Sequence, residues 1–365
     1  MNASRAPVRQ SSVRAHNLAL VLQTVANSAD RPSRAAIAGA TGLTRATVSA
    51  LVDDLIAGGL LIELDPAPRT GAGRPAAGLA LASQGPAGLG LEINVDYQAA
   101  CVVDLTGAVR HRFVARRDQR LLSPGTALAE LGDLAVQARA AAEADGLVLA
   151  GAALAVPGLV AADGLVRVAP NLGWLDVRVP DLAGLPVTVD NEANLAALGE
   201  LRADGAEPTF LYVSGEIGIG AGIVLDGGLY RGGRGWSGEI GHVTVFPDGR
   251  PCRCGANGCL EQYAGQEAVA ADPDLAASAL GIALSAVVNL LDIGVVVLGG
   301  AYAPEFDRLR PGIEAELHRR VLTADLAPVT LRPAALGSEA AMRGAADAVI
   351  RSVREDPAGW LAQAV

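Results

Sequence analysis

Leu18, Val21, Leu22 and Val25 recur at the i, i+3, i+4, i+7 spacing of one helix face and predict a first amphipathic helix. Ser33 stands where a hydroxyl can cap a second short helix, running to Ala40 and ended by Gly42. Thr44 caps a third, which puts Val48, Leu51, Val52, Leu55 and Ile56 on one side and closes at Gly58-Gly59. Helix, tight glycine turn, helix is a helix-turn-helix pattern. The period then changes. Residues 60–64 and 79–81 read as two short strands around a loop of Gly, Pro and Arg, the outline of a wing.

Beyond a Gly/Pro-containing linker at 83–88, residues 89–95 and 98–104 predict a β-hairpin, with a third strand at 109–113. An alanine-rich helix follows over Pro124–Ala144 and an apolar strand over 147–156. A strand at 186–189 runs into Asp190-Asn191-Glu192-Ala193-Asn194 and then a helix through Arg202. Polar residues at a strand end and helix start aim side chains and free N–H groups at a ligand, although the same residues also serve as plain helix caps. A second α/β half opens at 209–213, passes a glycine-rich stretch at 214–222, and holds another apolar strand at 295–298. A closing helix is predicted over 339–353.

With 365 residues, 51% hydrophobic and 19% charged, the chain has the composition of folded domains, enough for two or three. It contains no uninterrupted apolar run of about 18 residues, and residues 1–10 lack an apolar export core. The expected location is therefore the cytoplasm, without a membrane span. The formal net charge of −10 is unevenly spread, because residues 1–80 hold eight arginines against five acids. A basic end on an acidic body is the asymmetry expected when that end meets phosphates. Arg45, Thr47 and Ser49, at the start of the third helix, are residue types that reach bases and phosphates from a major groove. Arg69 and Arg74 are the only charges between Pro66 and Gly78, and are candidates for backbone or minor-groove contact. The competing reading of this end is a three-helix protein-interaction module with a linker.

Three of the four cysteines lie close together, in the spacing His242-x9-Cys252-x-Cys254-x4-Cys259. Zinc takes four ligands in a tetrahedron, and three thiolates with one imidazole are a usual closed structural set, so one zinc per chain is expected. Pro251 turns the chain there, and Gly255 and Gly258 let Cys254 and Cys259 converge. A disulfide framework would leave one of the three thiols unpaired. Glu239 and Glu261 flank the same stretch. Two carboxylates and an imidazole beside a rigid knot suit a polyhydroxylated ligand, whose hydroxyls need convergent acceptors.

Glu239-Ile240-Gly241-His242 followed by Cys252-Arg253-Cys254-Gly255 and Gly258-Cys259-Leu260-Glu261 resembles the signature of the ROK family of repressors, open reading frames and sugar kinases. Pro157-Gly158, Pro170-Asn171-Leu172-Gly173-Trp174, Asn289-Leu290-Leu291-Asp292 and Leu298-Gly299-Gly300 are similar to further family segments, in order from Leu18 to Val353. The resemblance implies a winged helix-turn-helix over 1–83 and a two-lobed α/β body of actin-like (ribonuclease-H-like) fold with a structural zinc over 84–365. Lobe one would take about 84–205 plus the C-terminal helix, and lobe two about 206–338. It implies sugar binding by Asn191, Glu192, Glu239, His242 and Glu261. In the family's kinases the Glu192 position is an Asp that acts as base, and the first phosphate loop has glycines where this chain has Glu92-Ile93-Asn94-Val95-Asp96. The second glycine-rich stretch carries Glu216, which would repel a phosphate. The implied protein is thus no enzyme but a sugar-responsive regulator, a repressor on a double-stranded DNA operator. Its effector would be a sugar or sugar phosphate, and it would work as a homodimer or homotetramer. The alternative is an ATP-dependent sugar kinase carrying a DNA-binding domain.

Overall fold

The computed structural model describes residues 10–65, 77–203, 205–215 and 218–363. It opens with three helices, α1 (Gln10–Ala26), α2 (Arg34–Thr41) and α3 (Arg45–Ala57), and an antiparallel pair, β1 (Leu61–Leu64) with β2 (Gly78–Leu81). The capping residues act as expected. The Ser33 hydroxyl accepts the Ala36 N–H at 3.2 Å, and the Thr44 hydroxyl accepts that of Thr47 at 3.2 Å. Gly42 ends α2 at φ 74°, a left-handed position that glycine fills without strain. Leu22, Ile37, Val48 and Leu55 are fully buried between these elements.

The body repeats one plan twice. Its first half comprises β3 (Pro86–Ile93), β4 (Tyr97–Asp104), β5 (Val109–Arg116), α4 (Pro124–Ala144) and β6 (Val148–Val156). It continues with a small antiparallel sheet of β7 (Leu159–Val160), β8 (Val166–Ala169) and β9 (Trp174–Val177), then β10 (Val187–Asn191) and α5 (Glu192–Glu200). The second half comprises β11 (Phe210–Gly215), β12 (Ile219–Leu225), β13 (Gly228–Tyr230), α6 (Glu261–Ala264), α7 (Gln266–Ala271), α8 (Pro273–Leu291), β14 (Val295–Gly300), α9 (Phe306–Arg320) and β15 (Thr330–Pro333). The first sheet has order β10-β6-β3-β4-β5 and the second β13-β12-β11-β14-β15. In each, three sequential strands pair antiparallel and two later strands add in parallel, through helical crossovers except for β10, which is reached through the small β7-β8-β9 sheet.

Between the sheets lie α5 and α10 (Ala340–Glu355), burying Leu195, Phe210, Tyr212, Ala341 and Ala345 in one shared core. Small residues let these elements meet at backbone distance. A Cβ on Gly344 would stand 1.7 Å from the Leu195 carbonyl oxygen, and one on Gly90 2.0 Å from that of Met342.

The predicted closing helix is α10, and a further helix that the apolar pattern did not predict, α11 (Pro357–Gln363), follows it. Seven residues offer too few turns to show a period. α11 packs beside α1, and the Trp360 indole N–H donates to the Gly58 carbonyl at 3.0 Å. Leu105, Ile350 and Val353 complete the N-terminal core, which the body therefore shares. Polar residues interrupt α8 at Ser278, Ser285 and Asn289. By length and composition it is apolar enough to cross a membrane, but it packs along α9, and Leu280, Ala283, Leu284 and Val288 are buried in the second half's core.

Candidate ligand cleft and metal centre

A cleft of about 660 Å³ opens between the two halves of the body. On its first wall, β10 delivers Asn191 and α5 begins with Glu192. The Asn191 carbonyl oxygen accepts the N–H groups of Ala193 at 2.8 Å and Asn194 at 3.3 Å, capping α5. Its amide N–H donates to the Gly158 carbonyl at 2.8 Å, which fixes the Pro157-Gly158 turn to the strand end. Helix cap and cleft residue are one side chain, so the two readings of Asn191 are compatible. Most of its hydrogen-bonding capacity is already committed.

Glu192 is half-buried, with the Ser214 hydroxyl 3.4 Å from its carboxylate. Burial, and then repulsion from Glu92, push its carboxyl up to about 7, against the Ser214 hydrogen bond. The segment 92–96, at the place of a kinase's first phosphate loop, does not set all its acids on the cleft. Glu92 is not on the cleft wall but inside β3, 1% exposed, where its carboxylate accepts the Tyr97 hydroxyl. Of that segment Asn94 and Val95 line the cleft, and Asp96 is exposed. β3 is the central strand of its sheet and is buried along its whole length, Glu92 included.

The opposite wall begins at Gly238, whose φ of 100° carries the chain so close over β12 that a Cβ would lie 1.9 Å from the Ala221 carbonyl oxygen. That crossing sets Glu239 and His242 on the cleft, on either side of a short turn. Glu261 enters as the first residue of α6. Its Oε2 and the Asn171 amide nitrogen lie 3.0 and 3.5 Å from where a side chain on Gly218 would begin. A side chain at 218 would crowd the Glu261 carboxylate by a few tenths of an ångström, at the point where acceptor and donor approach. Asn191, Glu192, Glu239, His242 and Glu261 all line this one cleft. Asn94, Asn171, Ser214 and Arg253 line it as well, and were not singled out as site residues. Asn171 sits in the Pro-Asn-Leu-x-Trp segment, where its amide was the available signal.

The ligand atoms of His242, Cys252, Cys254 and Cys259 all lie within 4.8 Å of one another. Cys254 and Cys259 sulfurs are 3.6 Å apart, and His242 Nδ1 is 3.8 Å from the Cys252 sulfur. Ligands about 2.3 Å from a tetrahedral centre are separated by just under 4 Å, which these two pairs match, so the cluster could hold one ion of the kind this donor set takes. The knot is held from below by Gly258, at φ 72°, where a Cβ would stand 1.6 Å from the Phe246 carbonyl oxygen. Phe246 meets the Tyr263 ring edge-on at 4.7 Å, and the Tyr263 hydroxyl accepts the Arg250 N–H at 2.6 Å. His242 brings Nδ1 to the Cys252 sulfur and also lines the cleft.

At the N-terminal end, Arg45 is exposed at the first position of α3. The Thr47 hydroxyl lies 2.9 Å from that of Thr44, and the Ser49 carbonyl accepts Arg34 at 3.3 Å. Arg69, Arg74 and Glu216 lie outside the described residues.

The ROK family model matches residues 88–274. The chain belongs to the ROK family. It is 34% identical over 264 residues to the xylose repressor of Caldicellulosiruptor bescii, covering 69% of this chain and 64% of that one. To the xylose repressor of Bacillus subtilis it is 30% identical over 269 residues, covering 71% and 68%. The matches thus span about two thirds of those repressors' lengths. Among solved structures, a ROK family transcriptional regulator homologous to the E. coli MLC protein superposes with TM-score 0.78 at 24% identity, over 96% of this chain and 98% of that one. The ROK hexokinase of Thermus thermophilus superposes with TM-score 0.63 at 31% identity, over 74% and 99%. This ROK body is actin-like, and an N-terminal helical region precedes it.

Proposed function

We propose that this ROK protein is a sugar-responsive DNA-binding repressor. One observation carries the reading. The regulator's superposition takes in 96% of the chain and the hexokinase's 74%, and the chain has three helices and a strand pair ahead of its first body strand. Those elements are read as a winged helix-turn-helix over 1–83, ahead of a sugar-binding body over 84–365. Arg45, Thr47 and Ser49 would meet the major groove, and Arg69 and Arg74 in the wing would meet the DNA backbone. A twofold oligomer would match a palindromic operator.

In the cleft, Glu192, Glu239 and Glu261 accept sugar hydroxyls while Asn191 and His242 orient them. His242, Cys252, Cys254 and Cys259 hold one structural zinc, which keeps the wall bearing Glu239 and Glu261 rigid. The link to DNA is mechanical. Glu192 begins α5, α5 meets α10 at backbone distance through Gly344, and α10 leads into α11, which holds the end of α3 through Trp360 and Gly58. Sugar that favours one arrangement of the lobes shifts the DNA-binding module with it.

A kinase needs groups that stabilise charge on a transferring phosphoryl. This chain has Asn94 and Val95 in place of loop glycines, and Glu192 in place of the catalytic Asp. Binding and turnover should therefore separate. A thermal-shift panel that includes D-xylose and D-glucose tests the reading. A sugar at 100 times its Kd should stabilise the chain by about 2.7 kcal/mol. Glu239→Ala and Glu261→Ala should remove that shift. A coupled assay with ATP, Mg²⁺ and the same sugars should give no turnover, whereas a rate on the order of 1 s⁻¹ would establish the kinase instead.

A further inference from the structure

We propose that Arg231 and Asp190 are positioning residues for the sugar site, a charged clamp that fixes the Asn191-Glu192 turn against the wall bearing Glu239. The inference rests on the sugar-binding reading above. Neither residue lines the cleft. Asp190 lies on β10, an edge strand of the first sheet, and Arg231 directly follows β13, an edge strand of the second. Arg231 Nε and Nη2 both donate to Asp190 Oδ2, at 3.0 and 2.8 Å.

The other Asp190 oxygen acts on the binding turn itself. Oδ1 accepts the Asn191 backbone N–H at 2.7 Å and the Asn194 side-chain amide at 2.9 Å. One carboxylate thus ties the cap and first turn of α5 to a cation from the other sheet. Asp190 is 18% exposed and Arg231 48%, so the carboxylate end of the pair is shielded from the water that weakens surface ion pairs.

Arg231 is itself anchored next to the opposite wall. The Ser237 hydroxyl donates to the Tyr230 carbonyl at 2.6 Å and the Ser237 N–H to that of Arg231 at 3.3 Å, closing a loop that begins at Arg231. At the loop's far end the Gly238 carbonyl accepts the Ala221 N–H at 2.8 Å, and Glu239 follows. The clamp therefore spans from the foot of the Glu239 loop to the residue before Asn191. A sugar held by both walls needs them in one fixed relation, and ordering them beforehand reduces what binding must supply.

The test compares Arg231→Gln, Asp190→Asn and the double variant of the full chain, titrated calorimetrically with D-xylose and D-glucose. Each single change is expected to weaken binding about tenfold, as for loss of a partly shielded charge-assisted bond, and the double variant no more than the weaker single. Arg231→Lys, which keeps the charge but loses the fork, should recover part of the affinity. Hydrogen exchange gives a readout that needs no sugar. Arg231→Gln should speed exchange of amides within 187–200, although those residues, β10 and α5, lie outside the sheet that Arg231 follows. Unchanged affinity, or single effects that multiply in the double variant, would overturn the clamp. If neither sugar binds the unaltered chain, the sugar reading fails, and unchanged exchange at 187–200 then overturns the clamp on its own.

Discussion

Glu192 shows how a single carboxyl can report on the cleft. Its pKa in the folded chain is about 7 against an ordinary 4.5, because burial and Glu92 disfavour the charge. The fold therefore favours the neutral acid, at no penalty below the ordinary value. Between pH 4.5 and 7 the unfolded chain ionises this carboxyl while the folded chain keeps it neutral, so the folded state loses up to about 3 kcal/mol, nearly all of it by pH 7. Glu192→Gln cannot ionise, so its stability advantage over the native chain should be small at pH 5 and large at pH 8. Denaturant unfolding at the two values checks this, and an advantage independent of pH would mean a well-solvated carboxylate. The second residue-scale expectation concerns the metal. Elemental analysis should find about one zinc per chain, and Cys254→Ser should lose it together with sugar affinity. Metal-free protein with full sugar affinity would separate the knot from the cleft.

Secondary-structure elements explain what the sequence could and could not disclose. Caps and turns were legible because they act over a few residues, and Ser33, Thr44 and Gly42 do as their chemistry requires. The His242/Cys252/Cys254/Cys259 cluster was legible because thiol spacing in a tight glycine turn is itself geometry. The place of Asn171 was not, since only the fold brings its amide into the cleft beside Gly218. Nor was the burial of Glu92, which depends on its strand lying at the centre of a sheet covered on both faces. The contact of α5 with α10 is likewise tertiary, and it yields a sharp expectation. Gly344→Ala places a methyl 1.7 Å from a backbone oxygen that cannot rotate away. It should cost about 3 kcal/mol or more, measured by equilibrium unfolding. A loss under about 0.5 kcal/mol, the size of an ordinary surface change, would show that the two helices readily slide apart.

At the scale of the whole molecule, the N-terminal helices do not hang from a free linker. Their core includes Leu105, Ile350 and Val353, and α11 covers the end of α3. Trp360→Ala should therefore weaken DNA binding and leave sugar binding in the remote cleft intact. Equal loss of both would point to general unfolding, and the melting temperature distinguishes the two. The same continuity underlies the central claim, that a sugar in the cleft changes how the module at the other end grips DNA. Linkage makes the claim quantitative, because a coupling of 1–3 kcal/mol between two sites corresponds to roughly 5–150-fold in affinity. The most direct measurement is a fluorescence-anisotropy titration of the full chain on DNA from its own promoter region, at fixed salt, with and without saturating sugar from the thermal-shift panel. The account predicts that sugar moves the DNA Kd at least about fivefold. Superimposable curves, from a preparation shown to bind both ligands, would contradict it.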